Sequence, residues 1–234
     1  MRIVIFASEL SALVGKNRYV LQGDALEKLV CRIVGMPTRE QKIENSLSEK
    51  QRDIIYGAAG KCDLSQQVVD NVVEAKKKIY DLPDISREEK DELCNFAERV
   101  HFTSHGSKSE ECIKKSVENQ KSIQISKDDI FRKKHVFDIN NHSVYIGGKC
   151  DGVAIFNSKE TVVEIKNRIH RLFGTIPEYE KVQLYSYMYI YGIDSGLLIE
   201  NYNSQKNMIP CIFDKNEWNI YMEELKKTIS QINI

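Results

Sequence analysis

Apolar positions change their spacing halfway along the chain, and that change divides it. In the first half they recur at helical intervals. Leu26, Leu29, Val30 and Ile33 form one stripe, with Asp24 ahead of it as a candidate cap and Gly35-Met36-Pro37 as a stop, which predicts a helix over 24–34. A second helix is predicted over 39–56, ended by Gly57. A third is predicted over 65–80, with Val68, Val69, Val72, Val73 and Ile79 apolar ahead of Pro83. Ser86-Arg87-Glu88-Glu89 has the form of a capping box and opens a fourth, and Gly106 separates that helix from a fifth over 107–120.

From His135 to Lys166 the chain is rich in Val, Ile and Phe, with turn residues at Asn140-Asn141, Gly147-Gly148 and Asn157-Ser158-Lys159. Three strands joined as hairpins are predicted there. A helix over 177–192 follows, with Pro177 in its first turn. Two more strands, 195–201 and 208–213, precede a helix over 215–229 capped by Asp214. The fold class expected is α/β: a central mixed five-stranded sheet flanked by helices, with a helical N-terminal half. No linker composition interrupts the chain, so 1–234 is expected to be a single domain, 1–120 mostly helical and 121–234 carrying the sheet.

Composition narrows the function classes. Apolar residues make up 41% of the 234 positions and charged residues 29%, a normal globular mix. The 34 basic residues balance 34 acidic ones, which excludes a strongly basic coat for nucleic acid and leaves room for a local basic groove. No apolar run has the length of a membrane span, and the stretch 3–13 lacks the flanks of a signal peptide, so no membrane partner is expected. The six cysteines contain no C-x-x-C pair and are expected to be reduced thiols in the cytoplasm or nucleus. The five histidines lack the spacing of a zinc hydrolase.

The chemistry concentrates in Gly147-Gly148-Lys149-Cys150-Asp151-Gly152-Val153 and Val162-Val163-Glu164-Ile165-Lys166. If 157–160 form an even-numbered hairpin loop, Asp151 faces Lys166 and Val153 faces Glu164. Opposite residues share a face and side chains alternate along a strand, so Asp151, Glu164 and Lys166 project together from one face. Two carboxylates and an ammonium at the edge of an apolar sheet need a reason. One reason is metal-assisted phosphodiester hydrolysis: hard oxygen ligands for Mg²⁺, and a lysine to orient water or offset charge on phosphorus. The other is a salt bridge on an edge strand.

Further motifs stand in order around this pair: Ala7-Ser8-Glu9-Leu10 with Leu13 and Gly15, Gly106-Ser107-Lys108-Ser109-Glu110, and Gln183-Leu184-Tyr185-Ser186-Tyr187. Together with Asp151-Gly152 and Glu164-Ile165-Lys166 they resemble the PD-(D/E)XK nuclease superfamily, and within it the phage-lambda-type exonucleases and YqaJ-like viral recombinase nucleases. The resemblance spans roughly residues 7 to 200, carried by short motifs. It implies a restriction-endonuclease-like core. It also implies Mg²⁺, with Mn²⁺ as a substitute, held by Asp151, Glu164, the Ile165 carbonyl and Glu110. Glu111, its neighbour, leaves that helical ligand open by one residue. Lys166 and Gln183 are then catalytic. The iron–sulfur cysteines of some RecB-type relatives have no counterpart, so no cluster is expected. Residues 39–80 match no motif of the family.

The resemblance also implies that Ser8 holds a 5′-phosphate; the alternative is a helix cap. Lys16 and Arg18 follow as candidate phosphate contacts, or as solubilising charge. Gln183 and Tyr187 lie one helical turn apart and share a face, which in such nucleases touches the lysine or the DNA. Arg168 belongs to a basic run with His170 and Arg171 just past the Glu-x-Lys strand, where a DNA backbone would pass. The expected activity is a Mg²⁺-dependent 5′–3′ DNA exonuclease of viral-type recombination, replication or repair that leaves 5′-phosphates. Its expected partners are double-stranded DNA with a free end, a single-strand-annealing protein and further copies of the chain. An endonuclease and a non-catalytic DNA-binding module are the alternatives.

Overall fold

The computed structural model describes residues 1–61, 64–83, 85–121 and 123–232, without the side chains of 107–109, 111, 112 and 119–121. Strand β1 (Arg2–Phe6) runs directly into α1 (Ala7–Leu13), followed by α2 (Gln22–Val34), α3 (Arg39–Ser46), α4 (Glu49–Tyr56), α5 (Ser65–Tyr80) and α6 (Arg87–Lys121). Then come β2 (Ile125–Ser126), β3 (Arg132–Ile139), β4 (His142–Gly148), β5 (Gly152–Phe156), β6 (Lys159–Asn167), α7 (Glu178–Tyr191), β7 (Ser195–Tyr202), β8 (Gln205–Ile212) and α8 (Lys215–Ile229). The strands form a three-stranded sheet, β1-β4-β3, and a five-stranded sheet, β2-β5-β6-β7-β8. Pairs β1–β4 and β6–β7 are parallel and the rest antiparallel, so the five-stranded sheet is mixed, as expected. The chain leaves β4 and enters β5, in the other sheet, through Lys149-Cys150-Asp151.

Several sequence expectations need correction. Asp24 lies inside α2, which starts at Gln22 without a side-chain cap. The helix expected over 39–56 is two helices, because Ser48 forms a capping box with Gln51 just as Thr38 does with Gln41, and each box starts a helix. Gly106 does not divide the next segment: α6 is one helix of 35 residues. A glycine inside a helix costs only about 1 kcal/mol, and α6 is anchored at both ends. Leu93, Cys94, Phe96 and Ala97 pack with Ile55 and Ile79 of the helical half, and Ile113 and Val117 pack on Val163, Ile165, Leu197 and Ile199 of the five-stranded sheet. Ser86 does cap α6, with Glu89 reciprocating. The span 132–167 holds four strands where three were expected, and β1 lies where the sequence suggested only the start of a helix.

The main core lies between the three-stranded sheet and α1, α2, α7 and α8, built from Ile3, Ile5, Val144, Ile146, Leu184, Met188 and Tyr221. Successive β6 residues therefore serve opposite layers: Val162 joins this core, while Val163 and Ile165 join the α6 layer. Glu164 and Lys166 share the parity of Val162 and point toward α7. Asn157 (φ 51°) and Ser158 (φ 63°) are both left-handed, as a two-residue type I′ turn requires, so the loop is shorter than expected. Gly152 accordingly pairs with Val163, and the register places Asp151 across from Glu164 and not from Lys166. The slip is two residues, so the shared face is preserved.

Gly152 is required by the approach of β2: a Cβ there would lie 2.4 Å from Ile125 Cγ2 and 2.9 Å from the Ser126 carbonyl oxygen. Gly152→Ala is expected to destabilise the protein by about 1–3 kcal/mol through overpacking. A urea unfolding curve with a lower midpoint and an unchanged slope is the expected result; an unchanged midpoint would contradict this account.

Candidate active site

Asp151 sits at the crossing between the sheets, and Glu164 and Lys166 sit two residues apart on β6. One Asp151 carboxylate oxygen accepts the backbone N–H of Ile165 at 2.6 Å, which ties the crossing to the last third of β6. Lys166 Nζ donates to Glu164 Oε1 at 2.7 Å and to Gln183 Oε1 at 2.9 Å. Gln183 Nε2 in turn donates to the Tyr187 hydroxyl at 3.3 Å. Tyr187 can lie against β4 because Gly148 carries no side chain: a Cβ there would be 2.7 Å from the tyrosine ring and 3.2 Å from Ala7. The sequence-chosen Asp151, Glu164, Lys166, Gln183 and Tyr187 are thus brought together, with the Ile165 backbone among them.

Burial dominates the electrostatics. It raises the Asp151 carboxyl to about 6 against the opposing effect of the Ile165 N–H, and it raises Glu164 to about 7. Glu110, on α6, is half-buried; burial and then the charge of Glu164 raise it as well, so it lies within electrostatic reach of the pair. The side chain of Glu111 lies outside the described residues. Burial alone would depress Lys166, but the Glu164 charge and hydrogen bond outweigh it and the ammonium is held above its ordinary value. One Glu164 oxygen, Oε2, is buried without a hydrogen-bond partner. A buried carboxylate oxygen without a donor is costly.

Among the described residues no three His, Cys, Asp or Glu gather into a ready-made metal cage. Two carboxylates with one vacant oxygen do fit Mg²⁺, which binds through one or two carboxylates and keeps waters and phosphate oxygens as its other ligands.

Arg168 is not where the sequence suggested. It is 8% exposed, enclosed by protein rather than presented at the surface. Its guanidinium donates Nη2 to Glu180 at 2.7 Å and Nε to Glu200 at 2.8 Å, and it stacks on Phe173 at 4.1 Å. Glu200 also accepts the N–H groups of Phe173 and Gly174. A basic run gives no sign of this fate, since the partners lie 12 and 32 residues away.

Ser8 is exposed in the first turn of α1, whose N-cap is Phe6, so it is not a cap. Its neighbour Ala7 abuts Gly148 beside the site. Lys16 and Arg18 lie past the other end of α1, so the structure does not gather them with Ser8. They line a cleft of about 470 Å³ with Arg171, Phe173 and Tyr179. The sequence reading missed the two aromatic residues; the available signal was Tyr179, one helical turn before Gln183.

No protein-family model matches the sequence, and no curated protein matches it. Solved structures do. The chain is similar to an alkaline exonuclease (LHK-Exo) from Laribacter hongkongensis, with a TM-score of 0.51 at 10% identity, over 97% of this chain and 87% of that one. LHK-Exo in complex with dAMP matches with a TM-score of 0.48 at 11% identity, over 97% and 86%. A phage related exonuclease from Haemophilus somnus 129PT matches with a TM-score of 0.46 at 12% identity, over 97% and 92%. At these identities the likeness is one of fold, and the fold of this chain is that of an exonuclease of the LHK-Exo kind.

Proposed function

We propose that the protein is a Mg²⁺-dependent deoxyribonuclease that degrades double-stranded DNA from its ends and leaves 5′-phosphates, in DNA recombination, replication or repair. The observation that carries this reading is the Asp151–Glu164–Lys166–Gln183 cluster, with its unpartnered Glu164 oxygen, at the junction of the two sheets. Asp151, Glu164 and the Ile165 carbonyl would hold the ion, with Glu110 assisting from α6. When bound, Mg²⁺ supplies Lewis acidity at the phosphoryl oxygen and lowers the pKa of water.

The protein's own groups do the rest. Lys166 is held cationic by Glu164, so it serves as a donor and not as a base. It orients the attacking water and offsets negative charge as the phosphorus–O3′ bond breaks. Gln183 fixes the lysine and is itself fixed by Tyr187. Ser8 would contact the terminal phosphate from the start of α1. Strand polarity, a strand-annealing partner and self-association follow the resemblance and belong to the same proposal.

Lys166→Ala is expected to lower the cleavage rate by at least about a hundredfold while duplex affinity in Ca²⁺ stays near wild type, because the lysine acts on the transition state. Single-turnover kinetics and anisotropy titration measure the two quantities. Near-normal cleavage would remove Lys166 from the mechanism.

The raised carboxyl pKa values give a thermal test. A carboxyl whose folded pKa exceeds its unfolded value of about 4 favours folding when protonated. That contribution is complete below about pH 4 and is lost as pH rises through 6 and 7, the values for Asp151 and Glu164. Mg²⁺ requires the ionised forms and restores stability on the alkaline side. The rise in Tm on adding Mg²⁺ is expected to be larger at pH 8 than at pH 5.5, and to shrink in Asp151→Asn. Equal rises at both pH values, or an undiminished rise in the variant, would leave Asp151 only as the acceptor of the Ile165 N–H.

The end-directed reading is tested with three substrates in Mg²⁺. Linear duplex with 5′-phosphate should be degraded faster than the same duplex with 5′-hydroxyl, and closed circles should survive. Ser8→Ala should narrow the phosphate preference. Efficient cutting of closed circles would replace the exonuclease with an endonuclease on the same fold.

A further inference from the structure

Strands β6 and β7 each send an apolar stripe to the α6 layer, Val163 and Ile165 from β6 and Leu197 and Ile199 from β7. Side chains alternate along a strand, so the next positions on these stripes are Asn167 and Asn201. The two asparagines stand opposite each other in the parallel register. Both break the apolar pattern in a largely buried layer, and a polar group there needs a partner. That partner is His105 of α6, itself buried. His105 precedes Glu110 by five residues, about 7.5 Å along the helix axis. None of the three side chains takes part in the chemistry proposed above.

The hydrogen bonds run in one direction. Asn201 Nδ2 donates to Asn167 Oδ1 at 2.7 Å. Asn167 Nδ2 then faces His105, with the ring Nε2 at 2.8 Å and the backbone carbonyl oxygen at 3.4 Å. A carbonyl only accepts, so the amide nitrogen is the donor on this side and His105 Nε2 carries a lone pair. Asn167 thereby uses its side-chain oxygen and both of its side-chain N–H groups. The contact falls where α6 is weakest, because Gly106 follows His105 and a glycine inside a helix costs about 1 kcal/mol. Beyond Glu110, α6 rests on β6 through Ile113 and Val117, and Lys206 donates to Ser116 at 2.6 Å. Glu110 thus lies between two anchors. The one beyond it, apolar packing and a flexible lysine, tolerates a small slide or rotation of the helix. The one before it is directional and does not.

We propose that Asn167 is a positioning residue: held by Asn201, it latches α6 at His105 and so sets where Glu110 meets the Asp151–Glu164 pair. This rests on the nuclease reading, in which Glu110 is a carboxylate for Mg²⁺, and adds to it that β6 builds the site from both of its faces. Glu164 and Lys166 act from the face toward α7. Asn167, the next residue in the chain, acts from the opposite face through α6.

The test is a double-mutant cycle between Asn167→Ala and Glu110→Gln. It is read by calorimetric titration of Mg²⁺ without DNA, at a temperature below the lowest Tm of the set, with Mg²⁺-dependent cleavage of linear duplex measured in parallel. Asn167→Ala is expected to weaken Mg²⁺ about tenfold, as for other groups that orient a metal ligand. In the Glu110→Gln background the same substitution should cost less than about twofold, because the latch acts through the carboxylate already removed. His105→Gln keeps an acceptor near the place of Nε2 and should stay within about twofold of wild type, whereas His105→Leu has none and should reproduce the loss of about tenfold. That pair decides the matter if Asn167→Ala does not fold. Unchanged Mg²⁺ affinity in Asn167→Ala, additive losses in the cycle, or equal losses in the two His105 variants would refute the latch while the nuclease reading stands. Unchanged affinity in Glu110→Gln would take Glu110 from the ion, and the latch with it, leaving Asp151 and Glu164 in place. A wild-type protein that neither binds Mg²⁺ nor cuts DNA would overturn the nuclease reading and this inference together.

Discussion

The ion cluster of Arg168 with Glu180 and Glu200 sets the geometry on which the site depends. All three side chains are nearly fully buried, at 8%, 4% and 0% exposure. Buried charge persists only where pairing and hydrogen bonding are close to complete. Here a guanidinium reaches one carboxylate on α7 and one on β7, and the second carboxylate also takes two backbone N–H groups of the connecting segment. The Arg168 backbone adds its N–H to Asn201 and its carbonyl to the Ser65 hydroxyl. The end of β6, β7, the first turn of α7 and the start of α5 thereby share one point. Gln183 follows Glu180 by three residues on α7, so the direction in which it meets Lys166 is set there.

A second cluster lies one turn away and behaves in the opposite way. Asp151, Glu164 and Glu110 surround the ammonium of Lys166, and all three carboxyl groups are raised by burial. The Arg168 cluster is closed, with its charges met by the protein. The Asp151–Glu164 cluster is open, with one carboxylate oxygen unmet. Both set carboxylates against a cation beside β6, and the completeness of pairing differs between them.

That difference explains which parts could be read from the sequence. Helices α5, α7 and α8 were legible almost to the residue: α5 and α8 have an apolar stripe, and α7 is bounded by Pro177 and Gly192. The break between α3 and α4 was missed although Ser48 and Gln51 carry it, since the surrounding helical pattern runs on. The passage of α6 through Gly106 was hidden, because what holds it lies in two distant packing layers. The shared face of Asp151, Glu164 and Lys166 was legible because side-chain alternation survives a two-residue error in register. The fate of Arg168 was not, since sequence alone does not distinguish a cation facing solvent from one enclosed by carboxylates that arrive from other elements.

Charge balance takes on a different meaning once placed in the fold. Thirty-four positive and thirty-four negative side chains cancel in the sum, and the sum predicts no affinity for a polyanion. The fold distributes the two signs unevenly: Lys16, Arg18 and Arg171 gather at one cleft, where Glu178 meets Lys16 at 2.9 Å, while Asp151, Glu164 and Glu110 gather around Lys166.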